Sequence, residues 1–109
     1  MAIYRKSLDD PDGFDEYGEQ GDTQGVQVGD SVVWRSILKP GWSWDRNIKP
    51  RNGLEFCPGY HREYVVAGRI RYRLDDGSVV EAKAGDHLVI EPGHNGEVVG
   101  DETCVLIDW

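Results

Sequence analysis

The segment from residue 69 to residue 82 constrains the fold more than any other part of this chain. Residues 69–74 alternate three arginines with apolar side chains, which is the period of a strand with one buried and one solvated face. An Asp-Asp-Gly-Ser sequence at residues 75–78 supplies a turn, and residues 79–82 return as a second apolar run. This pattern predicts an antiparallel β-hairpin.

The rest of the chain repeats this design of short runs divided by glycine and proline. Further strands are predicted at residues 31–38, 54–57, 63–66 and 87–90, and two final strands run through residues 98–99 and 105–107. No stretch shows a helical period with caps. With 109 residues, the chain predicts one all-β domain, a sandwich or jelly-roll barrel. Residues 25–109 form this domain, and residues 1–24, which are acidic and rich in glycine, form an irregular N-terminal arm.

Charge and hydropathy exclude two classes of partner. Twelve Lys and Arg stand against twenty Asp and Glu, so the formal charge of −8 disfavours nucleic acid. No apolar run approaches the roughly 20 residues that span a bilayer, and no apolar segment follows the N-terminal charges as in a secretory signal. We therefore expect a cytoplasmic protein with no membrane or nucleic-acid partner. Cys57 and Cys104 are then expected to be free thiols, with Cys104 buried in an apolar strand.

Two motifs in the second half of the chain resemble those of the cupin superfamily, more narrowly the small single-domain cupins with an RmlC-like jelly roll. The first is the apolar strand Tyr64-Val65-Val66-Ala67-Gly68. The second begins with Gly85-Asp86 and ends with Ile90-Glu91-Pro92-Gly93. This resemblance implies a cupin β-barrel with a functional interior cavity. It also implies a homodimer, for which the N-terminal arm is a candidate for strand exchange or edge covering.

The usual cupin metal ligands are not matched residue by residue. The family's two histidines and glutamate fall on Glu55, Cys57 and His61, and its late histidine is expected at position 96, whereas this chain has His94. Cys57, His61 and His94 are nevertheless competent metal ligands. A thiolate with two imidazoles favours zinc or iron, with copper, nickel and manganese left open.

Acid–base catalysis is a second predicted role at this site, and several candidate residues also have a structural alternative. Glu55 and His61 are the predicted catalytic acid–base groups. Cys57 could instead be a packed core thiol, His94 could stabilise its turn, and Glu55 could face solvent. His87 is out of phase with its apolar neighbours and is expected on the outer face without a role.

Aromatic residues are the predicted walls of the cavity, and their hydroxyl or indole groups could meet a ligand. Core packing is the alternative for at least one of the tryptophans. The predicted pocket residues are Trp34, Trp44, Tyr64 and Tyr72.

Three functions from different classes fit these features. The first is a metal-dependent enzyme, an isomerase, lyase, cyclase or dioxygenase, acting on a small organic molecule inside the barrel. The second is a metal-free module that binds or senses a small molecule, and the third is a structural scaffold. The enzyme is preferred, because Cys and His occupy positions where a filled barrel would have Val or Leu.

Overall fold

The computed structural model describes all 109 residues, which fold into nine strands with three short helical turns. A 3₁₀ turn spans Gly18–Gln20, and the helices α1 and α2 span Trp44–Asn47 and Lys49–Asn52. The strands are β1 (Gly13–Glu16), β2 (Gly21–Val28), β3 (Ser31–Leu38), β4 (His61–Ala67), β5 (Arg69–Leu74), β6 (Val79–Lys83), β7 (His87–Ile90), β8 (His94–Val98) and β9 (Cys104–Asp108).

Two antiparallel sheets form the domain. The larger sheet has the order β1-β2-β3-β9-β4-β7, and the smaller has the order β6-β5-β8. The prediction of an all-β jelly roll is confirmed. The two sheets are not joined by strand pairing into a closed barrel. No helix has the length and apolar character needed to cross a bilayer.

The core lies between the sheets and explains the pattern of apolar residues. Val65 and Cys104 from the larger sheet are fully buried against Ile70 from the smaller one, and Leu38 and Leu106 complete the contact. Burial of such side chains contributes about 1.5–3 kcal/mol each. The expectation that Cys104 is a buried free thiol is confirmed.

The predicted hairpin is confirmed in its register and in its two faces. Arg69 of β5 pairs with Lys83 of β6, and Ile70 faces Ala82 in the core. On the other face, Arg71 forms ion pairs with Glu81 at 3.3 Å and Glu97 at 3.2 Å. This is the solvated strand face that the alternation indicates.

Part of the predicted irregular arm is a strand. β1 and the first half of β2 lie within residues 1–24, and β2 pairs along its whole length with β3. Backbone hydrogen bonds and close packing of glycines hold this segment, so the scarcity of apolar side chains did not reveal it. Residues 1–12 contain no strand.

The structure also differs from the prediction between residues 44 and 57. Residues 54–57 are not a strand, because only Cys57 makes a bridge, to His94. Two short helices, α1 and α2, precede this segment. Ser43 caps α1 by accepting a hydrogen bond from Arg46 N, and Gly53 ends α2 in the left-handed conformation.

Candidate functional site

A cavity of about 150 Å³ lies between the two sheets. Apolar core residues form its floor, while Trp42 and Trp44, at the start of the helical segment, form part of its wall. Nine of its fifteen lining residues are hydrophobic, and Cys57 and Tyr72 are counted among these nine. The remaining polar side chains are Ser36, His61, Glu63, His94 and Asp108.

Cys57, His61 and His94 come together at this cavity, with their ligand atoms all within 4.8 Å of one another. Cys57 Sγ lies 3.5 Å from His61 Nε2, and the two imidazole rings are 5.0 Å apart, edge to face. His61 and His94 are the first residues of β4 and β8. Cys57 is held beside His94 by two backbone hydrogen bonds, from Cys57 N to His94 O and from Gly93 N to Cys57 O.

Oxygen acceptors orient both imidazole rings. His94 Nδ1 lies 2.8 Å from the carbonyl oxygen of Glu91. A carbonyl oxygen only accepts, so Nδ1 donates and Nε2 of the neutral ring keeps its lone pair. His61 Nδ1 lies 3.3 Å from Asp108 Oδ2, which likewise leaves Nε2 beside Cys57 Sγ. Metal-binding histidines are typically held in this way by a carboxylate or a carbonyl group.

The electrostatics of the three residues favour a thiolate beside an imidazolium. Burial raises the pKa of Cys57, but its hydrogen bonds with His61 and His94 outweigh burial and lower the pKa to about 6. The hydrogen bond with Asp108, followed by that with Cys57, raises the pKa of His61 to about 10. A divalent cation would replace the proton that this pair shares.

A second group, formed by Glu63, Tyr72 and Asp108, lies on the cavity wall. Glu63 is buried and accepts a hydrogen bond from the Tyr72 hydroxyl. Burial and the nearby charge of Asp108 raise the pKa of Glu63 to about 8, and burial raises that of Tyr72 well above its usual value. The sequence analysis missed Glu63 and Asp108. The alternation of β4 could have identified Glu63, because it shares a face with His61 and Val65.

Glu55 does not belong to this site. Glu55 is exposed and does not line the cavity. Its backbone carbonyl accepts a hydrogen bond from Asn95 Nδ2 at 3.0 Å. The structure therefore places Glu55 outside the cavity, and its predicted catalytic role has no support from this geometry. The cause is local, since residues 54–57 are not a strand and strand parity does not relate Glu55 to Cys57.

The predicted aromatic walls are divided between three places. Trp44 and Tyr72 line the cavity as predicted. Trp34 lines a neighbouring groove instead, and Tyr64 projects from the opposite face of β4. The prediction of Tyr64 as a pocket residue is wrong, because it is one position out of phase with His61 and Glu63. His87 is exposed and stacks on Trp109, in agreement with its expected outer position.

The two cysteines are expected to differ sharply in alkylation. In the folded, metal-free protein, iodoacetamide should modify Cys57 and leave Cys104 unmodified, because Cys57 is half-buried at the cavity and Cys104 is fully buried. Peptide mass spectrometry after timed labelling measures this difference. Equal labelling of both thiols in the folded protein would contradict the described packing.

Two stacked antiparallel sheets with polar side chains between them define a jelly-roll domain with an internal cavity. No protein-family model matches the chain, and no curated protein matches it. Solved structures do. An RmlC-like cupin from Shewanella frigidimarina is 16% identical, with a TM-score of 0.64 over 98% of this chain and 88% of that one. The chain therefore has the cupin fold, and the sequence-based resemblance is confirmed at that level.

Two further structures show the same likeness. The polyketide cyclase RemF from Streptomyces resistomycificus is 20% identical, with a TM-score of 0.65 over 98% of this chain and 78% of that one. A protein of unknown function from Vibrio parahaemolyticus is 15% identical, with a TM-score of 0.61 over 85% of this chain and 90% of that one. At these identities the likeness establishes the architecture, and the chemistry has to be argued from the site.

Proposed function

We propose that this small cupin-fold protein binds one divalent transition metal through Cys57, His61 and His94, and acts enzymatically on a small organic molecule in its cavity. The observation that carries the proposal is the orientation of the ligands. Three ligand atoms converge within 4.8 Å, and each histidine has its Nδ1 held by an oxygen acceptor. Because Nδ1 of each ring is engaged, Nε2 is the nitrogen left to bind a metal, and metal-binding histidines are typically held in this way.

The donor set indicates which metals fit. One thiolate and two imidazole nitrogens are typical of zinc, and a three-residue set leaves a fourth position of a tetrahedral ion for water or substrate. Iron accepts the same ligand types, so zinc and iron are the preferred metals. When bound, such an ion supplies Lewis-acid polarisation of a substrate oxygen or, for iron, redox chemistry.

The chain's own residues would do the remaining work. Asp108 holds the His61 ring through its Nδ1. Tyr72 and Glu63, which both line the cavity, are joined by a hydrogen bond. This pair would exchange protons with a molecule bound in the cavity. Trp42 and Trp44 supply apolar walls that limit the access of water. These roles support a lyase, isomerase, cyclase or dioxygenase in which proton transfer takes place beside the metal.

Elemental mass spectrometry of protein purified without a histidine tag tests the proposal. We expect about one equivalent of zinc or iron for each chain, and loss of activity on candidate substrates after chelation. Failure to bind zinc, iron, copper, nickel or manganese after reconstitution would contradict it. That outcome would favour the metal-free small-molecule binding module.

A further inference from the structure

A tryptophan platform lies beside the cavity, in the groove that Trp34 lines. Trp34 of β3 faces Gly25 of β2 directly, and Gly25 in turn faces Gly13 of β1. The six-membered ring of Trp34 lies over both glycines. A Cβ atom on Gly13 would lie 2.9 Å from the ring, and one on Gly25 would be closer still. Two adjacent strands thus present bare backbone to one side of the indole, and 39% of the residue remains exposed.

The register of the larger sheet connects this platform to the cavity. Trp34 pairs with Asp108 of β9, and Asp108 pairs with Glu63 of β4. Paired residues project to the same face of a sheet, so the platform and the two cavity carboxyl groups lie in one row. The groove itself has a volume of about 470 Å³. It shares Tyr17, Ser36, His61 and Asp108 with the cavity, so the two spaces adjoin each other.

A chain of hydroxyl groups crosses the floor of the groove. The Tyr17 hydroxyl lies 3.1 Å from Thr23 Oγ1, which lies 3.0 Å from Ser36 Oγ. Each hydroxyl can both donate and accept, so the chain can reverse its direction to match either a donor or an acceptor on a ligand. An indole platform beside adaptable hydroxyls is a combination that recognises a flat ring bearing polar substituents.

We propose that the groove binds a planar, uncharged, fused-ring aromatic molecule with hydroxyl substituents, one ring stacking on Trp34 and the other end entering the cavity toward His61. The identity of the reacting end rests on the proposed function, whereas the stacking does not. The cavity is the size that admits a single benzene-like ring, and the larger groove holds the remainder of the molecule.

Charge and polarity favour this ligand over a sugar or an organic acid. The formal charge of −8 disfavours an anionic ligand. A sugar carries hydroxyls on every side, and the apolar wall formed by Trp42, Trp44 and Ile48 would leave some of them unpaired.

Calorimetric titration with 2,7-dihydroxynaphthalene, phenol and methyl glucoside tests the proposal on zinc-reconstituted and metal-free protein. The naphthalenediol should bind more tightly than phenol, and the glucoside should not bind. Trp34→Ala should weaken the naphthalenediol about tenfold, because it removes the stacking surface, and should change phenol binding less than about twofold. Tyr64→Ala is the matched control, because Tyr64 is an aromatic of similar exposure, 41%, on the opposite face of the sheet.

Trp34→Phe keeps a flat ring, and it should retain most of the naphthalenediol affinity even if Trp34→Ala folds poorly. Equal effects of Trp34→Ala and Tyr64→Ala, no binding of the naphthalenediol, or preferential binding of the glucoside would overturn the inference. The zinc content of the same samples separates the two proposals. Binding of the naphthalenediol without any zinc uptake would leave the groove ligand standing and contradict the metal site.

Discussion

Replacing Cys57 by serine is expected to weaken zinc binding by more than about a hundredfold. Its thiolate is the one sulfur donor of the proposed metal site, and Sγ lies 3.5 Å from His61 Nε2. Loss of a residue that only orients a ligand typically costs 10–100-fold in metal affinity, so loss of a ligand should cost more. Competition with a chromophoric chelator, on protein reconstituted with zinc, measures the dissociation constant.

A graded series makes this result specific. Asp108→Asn removes the carboxylate that holds His61 Nδ1, and we expect a loss of about 10–100-fold, smaller than that of Cys57→Ser. Cys104→Ala is the matched thiol control, because Cys104 is buried in the core and is not one of the three converging ligands. Its zinc affinity should be unchanged even though its stability falls. If Cys57→Ser binds zinc as tightly as Cys104→Ala does, Cys57 is not a ligand.

Replacing Gly68 by alanine is expected to destabilise the protein by about 2–5 kcal/mol. Gly68 joins β4 to β5 with φ +76°, where a side chain costs about 1–2 kcal/mol. A Cβ atom there would also lie 2.6 Å from Thr103 O and 2.7 Å from Cys104 Cα. These are backbone atoms at the start of β9, so overpacking adds about 1–3 kcal/mol. Chemical denaturation monitored by circular dichroism measures the loss.

Gly77→Ala separates the two causes. Gly77 has φ +87° in the turn between β5 and β6, and nothing lies within 4 Å of its hypothetical Cβ. Its substitution should therefore cost only about 1–2 kcal/mol from the backbone conformation. Equal losses for Gly68→Ala and Gly77→Ala would show that the close approach at β9 does not matter.

Local patterns predicted the second half of the fold well. The hairpin of β5 and β6 follows from strict alternation around an Asp-Gly turn, and Gly68 and Gly93 mark strand ends in the positions that the cupin motifs indicate. The convergence of Cys57 with His61 and His94 was predicted from motif spacing, and the structure brings their ligand atoms together. Its use in metal binding stays a prediction.

Other features of the candidate site could not be predicted because they depend on which strands pair with each other in the sheets. Asp108 reaches His61 because β9 pairs with β4, strands that are more than 35 residues apart in the sequence. The proposed role of Trp34 depends instead on a local pairing, with Gly25 in the hairpin of β2 and β3, which was missed because residues 21–28 were not predicted to be a strand. Glu55 was assigned to the site on the assumption that residues 54–57 form a strand, in which alternate side chains share a face. These residues are not a strand, so the alternation does not apply to them.

The bridge between Cys57 and His94 fastens the segment of residues 54–57 to the first residue of β8, so two of the proposed ligands are tied together through the backbone. The segment that carries Cys57 is fastened at Leu54 O by Trp44 Nε1, at Glu55 O by Asn95 Nδ2, and at Cys57 by its two backbone hydrogen bonds. Any ion that joins Cys57 to His94 therefore also opposes local unfolding of this segment and of α1. The concentration of available metal would then determine how often the segment that carries Cys57 unfolds locally. Metal occupancy of the site and access of small molecules to the cavity would therefore be thermodynamically coupled.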